Sequence, residues 1–455
     1  MAQKYIILPL LQRFSEINLI MEIISQIVFA LMISVFGFFI AKRVGFIRKA
    51  INLGKSKMPE GTPSQRYREM LLVAFGQRKM FKRPLPALLH LCVYVGFLVI
   101  NLEVLEFVID GLLGTHRVFA PFLGGLYPLL MNVFEVLALL VLISCIVFLL
   151  RRNVLSIQRF RSAEMKGWPK WDGNLILITE IILMMAILFM NAADQQLQIL
   201  QHEGYTATGT LLISSFIVPM LEGWNESSLV ILERSAWWFH IFGILGFALY
   251  VTYSKHLHIF LAFPNTYYSR FKSKGKMDNM EVVTQEVYTM LGMPSPVTVE
   301  GDPGRFGAKD VTDLSTKNIM EAFSCTECGR CTSSCPANLT GKKLSPRKIM
   351  MDVRDRSEEL VRGGAGVENN TLLGNYISDE EVNACTSCNA CVEECPVNIN
   401  PLEIILELRR FKSMEESSSP ASWNMMFQNI ETNFAPWKFP ASDRFKWAEK
   451  VNEEL

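Results

Sequence analysis

Two short cysteine runs towards the C-terminal end of the chain have the residue types and spacing to bind iron. The first, CTECGRCTSSCP, begins at Cys325, and the second, CTSCNACVEECP, begins at Cys385. Both follow the pattern C-x2-C-x2-C-x3-C-P, in which one loop gives three thiolates to its own cluster and the fourth to another cluster. Zinc sites use separated cysteine pairs instead. The sequence therefore predicts two [4Fe–4S] clusters.

The pattern also predicts which cysteines bind each cluster, because each run exchanges its last cysteine with the other. The first cluster has the ligands Cys325, Cys328, Cys331 and Cys395. The second has the ligands Cys385, Cys388, Cys391 and Cys335. The two remaining cysteines, Cys92 and Cys145, lie in apolar segments and are interpreted as small apolar residues.

Helix signals surround the cysteine runs. Ser345 followed by Pro346 predicts a helix start, and Gly363 predicts its end. Ser378 with Glu381 three residues later is a capping box that leads into the second run. The stretch between the runs is longer than in compact bacterial ferredoxins, and strand signals are few. These features favour the α-helical form of a two-cluster ferredoxin.

The composition indicates that this soluble part is joined to a membrane part. The chain of 455 residues is 50% hydrophobic and 20% charged, with a mean hydropathy of +0.23. That is too apolar for an ordinary soluble protein and too charged for one wholly in a membrane. The net charge of +1 provides no basic excess for nucleic acid. Clustered thiolates predict a reducing compartment for the cysteines.

Five segments are long and apolar enough to cross a hydrocarbon layer of about 30 Å. They cover residues 19–41, 86–109, 127–150, 174–193 and 235–260. Residues 210–233 contain proline, glycine and glutamate, so a surface-lying or re-entrant segment is preferred to a sixth span. Twelve Lys and Arg between the first two spans and six after the third predict an outside N-terminus and the cluster domain on the cytoplasmic side of the inner membrane.

The predicted fold is all-α, with a five-helix transmembrane bundle followed by a soluble α-helical ferredoxin domain. The transmembrane domain is predicted to cover residues 1–261, followed by a linker over 262–312. The two-cluster domain is predicted over 313–412 and a C-terminal tail over 413–455.

Histidine in a membrane span is a functional candidate because burying it is costly. His90 lies near the inner start of the second span and His258 at the inner end of the fifth. Because His90 and His258 lie at the same depth in the membrane, the pair could provide both axial ligands of a b-type haem. The alternative is that His256 and His258 extend to the interface beside Lys255.

His240 has two candidate roles. It lies eighteen residues before His258. On one continuous helix, that spacing would place the two histidines about 27 Å apart along the axis and on the same face. That depth suits either a second haem or a hydrogen bond to a quinone carbonyl. His116 and His202, in outer connections, are the remaining candidates for a partner of His240, although neither is well placed.

Carboxylates within the spans could exchange the protons that accompany quinone chemistry. The alternative is that those near the span ends are solvated or paired. These residues are Glu103, Glu106, Asp110, Glu135 and Glu180.

The chain resembles known membrane oxidoreductases in two parts. Residues 19–260, with histidines on the second and fifth spans, resemble the cytochrome b (gamma) subunit of respiratory nitrate reductase. The stretch KHLHIFLAFPN is similar to membrane Fe–S oxidoreductases. Residues 313–412 resemble the C subunit of heterodisulfide reductase. The order of the two parts resembles the oxidoreductases that link electron-transfer flavoprotein to menaquinone.

Two departures from these families affect what the resemblance implies. Nitrate reductase gamma subunits have a second histidine on the second span, where this chain has Ile100 and Asn101. One haem is therefore expected, and a second only if His240 finds another partner. Many relatives also contain CCG domains, and no CCG occurs in this sequence. The expected partner is a separate CCG-domain protein like the B subunit of heterodisulfide reductase, or a flavoprotein.

The sequence thus predicts an electron-transfer subunit of a quinone-linked Fe–S oxidoreductase. Electrons pass between a cytoplasmic redox partner, two clusters, a b-type haem and menaquinone or ubiquinone. No residue has the pattern of a nucleophile or a hydride-transfer site, so no catalytic residue is assigned. The alternatives are a membrane-anchored ferredoxin without haem, and a redox-sensing or assembly scaffold.

Overall fold

The computed structural model describes residues 2–155, 157–205, 207–273, 275–301 and 304–454. Five long apolar helices within these ranges are able to cross a membrane, as predicted. They are α1 (Ala2–Ile51), α2 (Pro84–Leu113), α3 (Tyr127–Asn153), α4 (Trp168–Ile199) and α5 (Glu226–Val251). Helix α4 is the most buried and α1 the most exposed. The chain is therefore a membrane protein with an all-α architecture.

Helices α1, α2 and α4 extend beyond the predicted spans at both ends, because helix ends are set by turn residues and not by hydropathy. Helix α2 begins with Pro84 in its first turn. It ends at Gly114, whose φ of 71° stops the helix while its N–H donates to the carbonyl of Asp110. Short helices at Pro63–Met70 and Ala120–Leu123 lie in the connections.

The prediction for the end of the fifth span was wrong. Helix α5 begins at Glu226, after an Asn225 cap, and ends at Val251 instead of continuing to residue 260. The chain then turns, and Ser254 accepts a hydrogen bond from the N–H of His256. His240 and His258 consequently lie on different helices. Residues 210–225 form irregular turns and no sixth span, as expected.

The remaining helices are short and mostly belong to the soluble part. They are α6 (His258–Tyr267), α7 (Glu281–Met290), α8 (Thr316–Phe323), α9 (Arg330–Ser333), α10 (Pro336–Leu339), α11 (Pro346–Arg362), α12 (Asp379–Ala384), α13 (Ala390–Glu394), α14 (Pro401–Met414), α15 (Ala421–Asn433) and α16 (Lys446–Glu454). The predicted caps Ser345 and Ser378 accept backbone hydrogen bonds, which confirms those helix starts. The predicted boundary at residue 261 lies inside α6.

The soluble part packs directly on one end of the membrane bundle. Its apolar core includes Ile47 and Ala50 from the end of α1 and Leu257 from the turn after α5. Arg43 of α1 donates to Glu358 of α11 at 2.7 Å. This is the end of the bundle from which the basic connections emerge, so the cysteine loops lie against those connections.

Candidate iron–sulfur and haem site

The two cysteine loops adopt the same backbone conformation. The second of the two residues between the first two cysteines, Glu327 in one loop and Ser387 in the other, has a φ of 54° or 55°. Its N–H donates to the sulfur of the first cysteine, Cys325 or Cys385, at 3.4 Å in both loops. Amides directed at cysteine sulfur are the hydrogen bonds that tune iron–sulfur clusters.

A left-handed residue follows the second cysteine in each loop, Gly329 with φ of 70° and Asn389 with φ of 62°. Glycine and asparagine adopt this conformation most readily. It turns the chain into a short helix that carries the third cysteine. A β-carbon on Gly329 would lie 2.5 Å from Nη1 of Arg347.

The structure brings the predicted ligand sets together, including the exchanged cysteines. A cavity of about 30 Å³ is lined by Cys325, Cys328, Cys331 and Cys395, and also by Cys391 of the second set. In the second set, Cys391 has Cys385, Cys335 and Cys388 as electrostatic neighbours. In the described part of the chain, no three such side chains converge on a single metal ion.

Burial disfavours the thiolate form of these cysteines unless a positive charge lies nearby. It raises the pKa of Cys395 to about 11, and the neighbouring Cys328 adds to the effect. Iron would supply the charge that stabilises the thiolates at neutral pH. The residues present therefore fit two clusters.

Two buried cations that sequence reasoning did not identify hold the first cysteine loop against the bundle. Arg347 is fully buried and donates to Glu164 at 2.7 Å and to the carbonyl of Arg159 at 2.8 Å. Lys255, after α5, pairs with Glu327 inside the loop. Burial alone would raise the pKa of Glu327, but Lys255 and Arg354 lower it below its usual range.

A cavity of about 430 Å³ extends from this loop into the membrane bundle. Its soluble end is lined by Cys328 and by five cations: Arg151, Arg152, Arg159, Lys255 and Arg330. Its deeper walls come from α2, α3, α4 and α5 and are mainly apolar. The volume is within the range of cofactor sites, and the polar groups are few and convergent.

His90 and His258 face each other across this cavity, with ring centroids 6.4 Å apart. Nδ1 of His90 is 3.1 Å from the side-chain oxygen of Gln77, and Nδ1 of His258 is 3.2 Å from the carbonyl of Lys255. Such partners fix the ring tautomer and leave Nε2 available to bind metal.

The spacing of the two rings suits one iron between them. Two metal–nitrogen bonds of about 2.0 Å, each extended to the ring centre, give about 6.3 Å between centroids. The pair therefore fits the two axial ligands of a haem.

The other histidines are divided between the two ends of the bundle. His256 also lines the cavity, with its ring 5.3 Å from that of His258. His240 lines the deeper part of the same cavity. His116 and His202 pack on Tyr205 near the opposite end of the bundle, outside the cavity.

Three of the five membrane carboxylates have hydrogen-bond partners. Asp110 accepts from the hydroxyl of Thr115 at 2.6 Å and from the N–H of Arg117 at 2.9 Å. Glu106 accepts from Tyr127 and from the N–H of Phe119, both at 2.9 Å. Glu135 accepts from Ser214, which anchors the turns after α4.

The two other carboxylates are placed differently. Glu180 lines the cavity. Oε1 of Glu103 is buried with no hydrogen-bond partner, 3.7 Å from Arg117.

Comparison with known proteins agrees with this geometry. Residues 324–399 match the family described as 4Fe-4S dicluster domain. The chain is 26% identical to the probable iron-sulfur-binding oxidoreductase FadF of Bacillus subtilis (strain 168), over 93% of this chain and 60% of the relative. It is 25% identical to the EtfAB:quinone oxidoreductase of Syntrophomonas wolfei, over 85% of this chain and 54% of the relative.

The cysteine-bearing part has a shorter match. It is 36% identical to the C subunit of the ferredoxin/F(420)H(2)-dependent CoB-CoM heterodisulfide reductase of Methanosarcina acetivorans, over 24% of this chain and 56% of the relative. The chain spans only about half to three fifths of the length of these relatives. No solved structure matches.

Together, the site and the comparisons define a membrane protein with a 4Fe–4S dicluster domain, related to iron–sulfur oxidoreductases and suited to electron transfer. The predicted likeness to the C subunit of heterodisulfide reductase is confirmed. The likeness of the membrane part to nitrate reductase gamma subunits stays a prediction.

Proposed function

We propose that this chain is the membrane electron-transfer subunit of a quinone-linked oxidoreductase. In it, electrons move between a soluble redox partner, two [4Fe–4S] clusters, one b-type haem and the quinone pool. The observation that carries the proposal is the continuous cavity that has Cys328 at one end and the facing pair His90 and His258 in its wall. Cluster ligand and haem ligands thus border the same space.

In this proposal, His90 and His258 bind haem iron through Nε2, while Gln77 and Lys255 hold their rings in place. A bound haem would supply one-electron redox chemistry. The four arginines at the soluble end of the cavity would bind its two carboxylate groups, since Lys255 is already paired with Glu327. Because the same end includes Cys328, the haem edge and the first cluster would be neighbours.

The names of the relatives support the proposed quinone and soluble partner, and the distribution of Lys and Arg supports the proposed side of the membrane. One relative is named as an EtfAB:quinone oxidoreductase and another as an oxidoreductase that binds iron–sulfur. We therefore assign menaquinone or ubiquinone as the membrane substrate. A flavoprotein or a CCG-domain protein is the proposed soluble partner. The Lys and Arg distribution favours the cytoplasmic side for the cluster domain.

Optical spectra of the detergent-purified protein, oxidised and reduced with dithionite, test this function together with a pyridine haemochrome assay. One b-type haem per chain is expected, with about eight iron and eight sulfide from two cubane clusters. His90→Ala and His258→Ala should each lose the haem and retain cluster iron. Full cluster content with no haem would instead indicate a membrane-anchored ferredoxin.

A further inference from the structure

The two cysteine loops have the same conformation but differ in what covers them. Glu327 of the first loop is 3% exposed, whereas its counterpart in the second loop, Ser387, is half-buried. Thr326 is half-buried, and its counterpart Thr386 is exposed. Among the eight cysteines of the two runs, Cys388 alone is exposed. One face of the second loop is therefore open to solvent, although the same face of the first loop is covered.

The membrane bundle and its connections cover the first loop. Lys255, after α5, pairs with Glu327. The guanidinium of Arg330 donates to the carbonyl of Met80 at 3.3 Å, in the connection between α1 and α2. Cys328 lines the large cavity of the bundle. The covered face of the first loop is thus the one through which its cluster would reach a cofactor in the membrane.

The second loop is held from the side of α14. Arg409 of that helix donates to the hydroxyl of Ser387 at 3.3 Å and also to the carbonyl of Cys385. These contacts fix the loop and leave Thr386 and Cys388 at the surface. Because electron transfer weakens steeply with distance, a fixed loop with an exposed cluster ligand is suited to electron exchange with another molecule.

The two ligand sets adjoin, so an electron received at one cluster can pass to the other. Cys391, a ligand of the second cluster, lines the cavity formed by the first set. The predicted exchange of Cys335 and Cys395 also gives each run a ligand in both sets. The order from solvent to membrane is therefore second cluster, first cluster and large cavity.

We propose that the exposed face of the second loop, formed by Thr386 and Cys388, is the docking surface of the soluble redox partner. This inference rests on the proposed function and adds to it the site and the order of electron transfer. The partner that fits is a soluble protein that gives or takes one electron at a time through a cofactor near its own surface. In each transfer, one electron leaves the partner and reduces the second cluster, which is reoxidised when the electron moves to the first cluster; the reverse direction uses the same contacts.

Reduction of cytochrome c tests this surface without the native partner, because cytochrome c is a basic one-electron carrier. Protein reduced with dithionite and freed of the excess is mixed with cytochrome c by stopped flow in about 0.1 M salt, where charges more than about 10 Å away are screened. Thr386→Glu should speed the reaction about threefold and Thr386→Lys should slow it about threefold, since a charge at the contact attracts or repels the carrier.

Ser227 provides the matched control. It is exposed in the first turn of α5, at the end of the bundle opposite the cysteine loops. Ser227→Glu and Ser227→Lys should reduce cytochrome c at the wild-type rate. The Thr386 variants should keep their iron content and should react at the wild-type rate with menadione, a small neutral quinone.

The outcomes separate the docking surface from the proposed function. Equal rates for Thr386→Glu and Thr386→Lys, or the same changes in the Ser227 variants, would show that the assigned surface is wrong. A wild-type protein that reduces menadione but not cytochrome c would also overturn it. If the Thr386 effects appear but wild type does not reduce menadione, the quinone-linked function fails and the docking surface stands. Loss of a dimer in Thr386→Lys, measured by light scattering, would assign this face to a second copy of the chain instead.

Discussion

Replacing Lys255 with methionine should loosen the cluster domain from the membrane bundle without removing the haem. The ammonium group is 8% exposed and pairs with Glu327, which is 3% exposed. Removing one partner of a buried ion pair costs about 3–5 kcal/mol. Lys255 also lies 3.8 Å from Asp172. Without the ammonium group, Glu327 keeps Arg354 at 2.8 Å and Asp172 keeps the hydroxyl of Tyr250. We therefore expect a smaller loss of stability, about 2 kcal/mol.

The backbone carbonyl of Lys255 is unchanged by this substitution, so the hydrogen bond to His258 should persist. For a domain of about 100 residues, about 2 kcal/mol corresponds to a melting temperature lower by about 10 °C. Thermal unfolding of the detergent-solubilised protein, followed by loss of cluster absorbance, measures the shift. Lys255→Arg retains the charge and is the control. Equal melting temperatures for Lys255→Met, Lys255→Arg and wild type would refute the buried-pair argument, and so would haem loss in Lys255→Met alone.

Four further substitutions test the cluster domain. Gly329→Ala adds a β-carbon against Arg347 at a backbone φ of 70° and should destabilise the first cysteine loop by about 1–3 kcal/mol. The expected result is a lower iron content of the purified protein, and an iron content equal to wild type would contradict this prediction. Cys395→Ser should alter the electron paramagnetic resonance signal of the cluster bound by the first loop, and Cys335→Ser that of the second; the opposite assignment would disprove the exchange of ligands. Burial alone would raise the pKa of Glu321, but Arg270 and Lys317 lower it below its usual range. The contribution of ionised Glu321 to stability should therefore be complete above about pH 5 and be lost as the pH falls through the pKa of Glu321 in the folded protein. Glu321→Gln should flatten this acid limb in unfolding measured against pH, and an unchanged limb would show that the ion pairs contribute little.

The features predicted correctly from sequence are those determined by nearby residues. Hydropathy over about twenty residues identifies a span whatever it packs against. The caps at Ser345 and Ser378 need only the next three residues to form. The spacing within each cysteine run likewise requires one loop conformation, and both loops have it.

The failures are one helix break with a weak local signal and two buried cations whose partners are distant in the chain. The break after Val251 lies in YVTYSKHL, which contains no glycine or proline, so hydropathy extended the helix to residue 260. Its local signal is Ser254, whose side chain accepts from the N–H of His256. Lys255 and Arg347 could not be identified as buried, since Glu327 and Glu164 reach them only through the packing of the two domains.

The same long-range contacts determine how electrons would cross from the cluster domain to the membrane. Buried ion pairs among the described residues join the two parts, including Arg43 with Glu358, Lys255 with Glu327, and Arg347 with Glu164. The two parts also share one apolar core through Ile47 and Leu257. Opening such a junction would expose this shared apolar core to water, which is unfavourable. Because electron tunnelling weakens steeply with distance, a fixed contact between the first cysteine loop and the cavity favours direct transfer over shuttling by a tethered domain.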